Sequence, residues 1–287
     1  METITARGAD TIPARRRRRR STGRGLLRLV CGFVFAFLML PLLVLFPISF
    51  SSGTYLRFPP PGFSLKWYAR YVNDPTWIDA TWRSLEIGVA AMVLSLLLGV
   101  PMAFGLVRGS FRGRGLIENG ISAPMIVPHI VLSIAIYGLF SKLGLIGEWY
   151  GVAVAHTVLA LPFVVIVLVA GLRDFDANLE LAARGLGAGR LAAVGTITLP
   201  ILAPSIASAA FLAFITSFDE LVVAMFLSGA NMTLPKKMFD TILTEIEPTV
   251  AAVSVLQILL ISALMVLSSG FRNQTPAPQA ATPQAGR

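Results

Sequence analysis

Two neighbouring carboxylates, Asp219 and Glu220, stand inside the long apolar run 201–227, directly after Ser217 and Phe218. A charged side chain near a membrane centre costs about 2.5–3.5 kcal/mol on insertion scales, so such residues call for a use. Two readings are open. The pair lines a water-filled path and supplies the countercharge for a cation, with Phe218 packed on methylenes or facing an ammonium. Alternatively, an arginine or backbone amides satisfy the carboxylates internally. His129 and His156 also lie within apolar runs, but neither has a second ligand at metal spacing, so both read as packed or water-bonded and no metal is expected. Cys31, the single cysteine, excludes a disulfide framework and a cysteine zinc site. No G-x-x-x-x-G-K-[ST], H-E-x-x-H or G-x-S-x-G pattern occurs, which excludes an ATPase site within this chain and leaves nothing for a membrane enzyme to use.

The elements that position these residues are membrane helices. Of 287 residues, 55% are hydrophobic and 14% charged, against about 25% charged in soluble domains. Six stretches have the roughly 20 apolar residues that a bilayer crossing requires: 26–50, 84–107, 119–140, 149–172, 201–227 and 249–270. Backbone amides in lipid must be satisfied internally, so the expected class is all-α and polytopic. The pI of about 10.4 does not indicate nucleic-acid binding, because the basic residues lie in the connections between apolar runs and form no folded basic face.

Those connections also set the orientation. Seventeen Lys and Arg lie on the side that holds both ends of the chain, among them Arg7, six arginines at 15–20, Arg108, Arg112, Arg114, Arg173, Arg184 and Arg190. Seven lie on the other: Arg57, Lys66, Arg70, Arg83, Lys142, Lys236 and Lys237. The bias predicts both termini in the cytoplasm. The first span is too long for a signal peptide and is expected to stay uncleaved. The basic arm 1–25 either anchors the topology alone or also meets anionic lipid. The Pro-, Ala- and Gln-rich tail 273–287 is predicted to be disordered. Trp67, Tyr68, Trp149 and Tyr150 read as interfacial anchors, and Glu245 and Glu247 as outer-loop acids.

The cytoplasmic connection 173–200 reads RDFDANLELAARGLGAGRLAAVGTITLP. Asp176 or Asn178 can cap a short helix, and Leu179, Ala182, Ala183 and Leu186 fall on one of its faces. Such a helix either docks into another protein or packs back on its own chain. Its spacing resembles the EAA loop of ABC importer permeases, E-A-A-x3-G-x9-I-x-L-P. Ala182, Ala183, Gly187, Ile197, Leu199 and Pro200 hold that register; the motif glutamate position carries Leu181, with Glu180 one residue earlier.

The resemblance extends along the chain. FSLKWYA at 63–69, WRSL at 82–85, FITSFDELVVAMFL at 214–227, LPKKMFDTI at 234–242 and EIEPTVAAVS at 245–254 are similar to the polyamine-importer branch. It implies a type I importer permease of six spans (26–272) in a bacterial inner membrane. It further implies an ATPase dimer seated on the coupling loop, a second permease subunit, a periplasmic binding protein and alternating access driven by ATP. Glu180 would then share the coupling role, and Ser217, Phe218, Asp219 and Glu220 the path of a cation such as spermidine or putrescine. An ion-coupled secondary transporter is the alternative; the coupling-loop register and the lack of an inverted repeat stand against it.

Overall fold

The computed structural model describes residues 15–272; the expectations for residues 1–14 and for the tail 273–287 lie outside the described residues. The chain is all-helical, with no strand among the described residues. Helix α1 spans Arg15–Ser49, so it begins inside the basic arm. Next come the short α2 (Lys66–Asn73) and the long α3 (Pro75–Arg108). Asp74 caps α3: its carboxylate accepts from the amide of Thr76 at 2.9 Å, and Pro75 takes the first turn, where no donor is needed.

The third predicted span is not one helix. It divides into α4 (Arg114–Ile126) and α5 (His129–Lys142), which meet at 106°. Pro128 causes the break: it disfavours the helical region for Val127, whose φ and ψ are −76° and 131°. Helix α6 (Trp149–Asp174) has Pro162 inside it, and α7 (Ala177–Gly185) is the short helix of the connection 173–200.

The fifth span also departs from expectation. Helix α8 (Arg190–Ala193) runs through a π turn (Val194–Thr198) into α9 (Leu199–Phe218), so helix begins eleven residues before the predicted 201 and passes Pro200 without a break. The π turn, closed by the Leu199 amide on the Val194 carbonyl, widens the backbone where Pro200 offers no amide. At its far end the predicted span stops at Phe218 and resumes as α10 (Val222–Leu227). Helices α11 (Leu234–Thr244) and α12 (Thr249–Arg272) complete the described residues.

Five of these helices are long and apolar enough to cross a membrane, and α4 with α5 makes a sixth crossing if the bent pair is one span. Helices α3, α6 and α9 form the centre. Ala103, Leu106, Ala160, Val164, Leu168, Leu202, Ala209 and Ala213 are buried between them. Lipid is as apolar as leucine, so close van der Waals fit rather than dehydration holds such helices together. Gly99 shows the fit: a Cβ there would lie 2.5 Å from Val164 Cγ1. Trp67 is not a lipid anchor but a buried residue beneath Lys66 and Arg70, and the Tyr68 and Ser49 hydroxyls share a hydrogen bond of 2.8 Å.

Candidate functional site

The breaks in the two interrupted spans meet at one cavity of about 300 Å³. Pro124 and Met125 come from the end of α4, His129 from the start of α5, Leu159 and Phe163 from α6, and Ile215 and Thr216 from α9; Asp219 and Glu220 complete the lining. Where α9 ends, the amide of Asp219 bonds to the Ile215 carbonyl at 3.0 Å and that of Glu220 to the Ser217 carbonyl at 3.3 Å.

The two carboxylates do different things. Glu220 is 7% exposed, and its Oε1 accepts from the amide of Val223 at 3.0 Å, satisfying a free first-turn donor of α10. Its Oε2 lies 3.5 Å from His129 Nδ1, so the pair becomes an ion pair whenever the imidazole is protonated. Asp219 is exposed to the cavity, and its carboxylate has no hydrogen-bond or ion-pair partner among the described residues. One carboxylate is committed to the fold and one is free.

Ser217 and Phe218 are buried and do not line the cavity. Ser217 Oγ is 2.8 Å from His156 Nδ1, which ties α9 to α6. Phe218, 1% exposed, stacks on Phe214 with ring centres 5.3 Å apart, in a cluster with Trp77, Leu234, Val250 and Val253. The sequence found the carboxylates because charge in an apolar run is conspicuous. It missed Phe163 and Thr216, which nothing in their own segments distinguishes, and read His129 as a packed residue. The Pro128 preceding it was the available signal, because a residue after a helix-breaking proline starts the next helix.

The second constellation is the connection between α6 and α9, residues 173–200. Asp176 caps α7 by accepting from the Asn178 amide at 3.0 Å. At the other end, the Ala188 amide bonds to the Ala183 carbonyl and the Gly187 amide to that of Arg184, both at 3.1 Å. This is a Schellman ending with Gly187 at its left-handed position, φ 95°. The register position of Gly187 is therefore a backbone requirement. Gly185 is the last residue of the helix.

The polarity of α7 is inverted. Glu180 is the buried residue, 8% exposed, while Leu179 and Leu181 are exposed, with Leu186 at 91% and Leu191 at 88% beyond the helix end. Glu180 Oε2 accepts from Arg108 Nη1 at 2.5 Å and from Thr198 Oγ1 at 3.0 Å. The Arg108 guanidinium in turn lies over the rings of Phe104 and Phe175, 4.9 and 5.7 Å from their centres. Glu180 thus faces its own spans, held by Arg108 and Thr198. Ala182 is exposed and Ala183 half-buried; Ile197 and Leu199 are half-buried and Pro200 exposed at the π turn.

At the opposite end of the spans from α7, Arg83 pairs with Glu86 at 2.8 Å and Arg70 with Glu247 at 2.9 Å. Burial and the neighbouring Glu245 carboxylate hold the Glu247 carboxyl above its ordinary value, an effect that Arg70 only partly opposes.

Residues 95–273 match the family described as binding-protein-dependent transport system inner membrane component. The chain is 33% identical over 236 residues to the spermidine/putrescine transport system permease protein PotC of Haemophilus influenzae, a match covering 82% of this chain and 91% of that protein. It is also 33% identical over 234 residues to the putrescine transport system permease protein PotI of Escherichia coli strain K12, covering 77% and 82%. Among solved structures, a chain from a bacterial ABC transporter involved in import of the acidic polysaccharide alginate superposes with a TM-score of 0.69. That pair is 21% identical, with 90% of this chain and 99% of that one covered, a likeness of fold alone. With more than half its length matched by the family and 82% of it aligned to a relative 33% identical, this chain belongs to the inner membrane components of binding-protein-dependent transport systems.

Proposed function

We propose that this chain is the permease subunit of an ATP-driven importer and that it carries a cationic polyamine inward by alternating access. The observation that carries the reading is the inverted α7: an apolar surface turned outward at the end of the spans, with its carboxylate turned in. Soluble surfaces rarely gather exposed leucines without a partner. The seat is a groove of a cytoplasmic ATPase dimer; a second permease subunit and a periplasmic binding protein complete the complex. Both termini are cytoplasmic, in accord with the basic residues that flank α7. The polyamine assignment draws on the spermidine/putrescine and putrescine permeases named above and on the free carboxylate of Asp219, which offers a countercharge beside apolar Leu159, Phe163 and Ile215.

The test is purification of the whole complex in mild detergent with Leu186→Asp in this chain. Loss of the ATPase with normal membrane insertion supports the reading. Uptake by the chain alone, driven by an ion gradient, refutes it in favour of a secondary carrier.

A further inference from the structure

The residue that receives the motion of α7 need not be its neighbour in sequence. Helix α7 is joined covalently to α6 through Phe175 and Asp176, yet its only buried side chain, Glu180, reaches 72 residues back to Arg108 at the last turn of α3. The same carboxylate oxygen accepts from Thr198, the last residue of the π turn that leads into α9. One oxygen therefore joins three elements: α7, the inner end of α3 and the foot of α9. Helices α3 and α9, packed on α6, are the centre of the molecule. Arg108 is held from the other side by Phe104 and Phe175, so its guanidinium is fixed in place. A charge-assisted bond between two positioned groups resists separation more than the exposed contacts around it.

We propose that Glu180, Arg108 and Thr198 form a latch, and that Arg108 is the positioning residue through which displacement of α7 is passed directly to α3 and α9. The proposal rests on α7 being seated on an ATPase. It adds the route by which that seat moves the spans.

The experiment uses the full complex in proteoliposomes, with binding protein outside and ATP inside, and reads substrate imported per ATP hydrolysed. ATPase retention is measured on the same preparations. Glu180→Gln and Arg108→Gln each lower that ratio by about tenfold or more, because breaking a buried pair leaves its other half uncompensated. The double variant is no worse than either single one, as expected for two groups acting through one interaction. Thr198→Val removes one hydroxyl bond and lowers the ratio by a smaller factor with the complex intact. It serves where the charge variants fail to assemble. A second measurement restores the link without its chemistry: in E180C/R108C, a short bifunctional maleimide recovers coupling that the unlinked protein lacks.

Unchanged ratios in all three single variants, losses that multiply in the double variant, or a linked protein no better than the unlinked one each overturn the latch. The underlying reading fails differently. In that case the ATPase is retained by Leu186→Asp, and Leu186→Cys in the wild-type complex forms no cross-link to it.

Discussion

Asp219→Asn and Glu220→Gln, made separately, distinguish a free carboxylate from a committed one. Asp219 makes no bond that its replacement would break, so its amide should change stability by no more than about 0.5 kcal/mol, the range of an uninvolved site. Its effect should fall on the substrate. An ammonium about 4 Å from a carboxylate gains roughly 4 kcal/mol at an effective dielectric constant near 20. Loss of hydration takes back part of that. A remaining ~1.4–2.8 kcal/mol corresponds to about 10–100-fold in apparent affinity. Glu220→Gln should do the reverse. It weakens the charged bond to the Val223 amide and removes the partner of His129, worth together about 1–2 kcal/mol of stability. The cavity's free charge stays where it is.

The assay is initial uptake of labelled putrescine by the reconstituted complex over a range of substrate concentrations, paired with thermal unfolding of the same preparations in detergent. Asp219→Asn raises KM with an unchanged melting temperature; Glu220→Gln lowers the melting temperature with a nearly unchanged KM. If Glu220→Gln raises KM as far as Asp219→Asn and leaves stability intact, the division of labour between the two carboxylates is wrong.

Other outcomes follow from single contacts. Gly187→Val places a branched residue at a left-handed position, costing about 1–2 kcal/mol; it should reduce ATPase co-purification, whereas Gly187→Asn should largely retain it. Gly99→Ala drives a methyl into Val164, an overpacking worth about 1–3 kcal/mol, and should lower the melting temperature of the purified subunit. Because the Glu247 carboxyl is raised by burial and by Glu245, its contribution is fully present below its ordinary value of 4.5 and is lost as pH rises through the raised value. Melting temperatures measured between about pH 7 and pH 4.5 should therefore show a stabilising component on acidification that Glu247→Gln removes.

The spans were legible because hydrophobic length is an additive property of a local window. Their interruptions were only half legible. Pro128 marked a bend that the apolar count smoothed over, and the stop at Phe218 has no proline at all; the Glu220 carboxylate there takes over a backbone amide. Spacing alone made the carboxylates at 219 and 220 look equivalent, since neighbours differ in surroundings only once the chain turns between them. The register of the connecting loop singled out Gly187, where the backbone is left-handed. What it could not carry was the direction of Glu180, because the residue that turns it inward, Arg108, lies on another helix and read as one basic residue among those that orient the chain.

Exposed leucines mean different things in different parts of this molecule. On α1 they face the thickness of a bilayer, where leucine and lipid are alike and exposure carries no penalty. On α7 and the turn after it they stand beyond the ends of the spans, where water would be the alternative contact. A chain folding for itself would turn Leu179, Leu181 and Leu186 inward and leave Glu180 in solvent. Here the carboxylate is buried at a desolvation cost of several kcal/mol, which a buried ion pair recovers only when its geometry and further bonds are good. Both conditions are met by Arg108 and Thr198. The leucines are left for another surface to cover. That reversal is consistent with a helix whose fixed side faces its own spans and whose variable partner lies outside the chain.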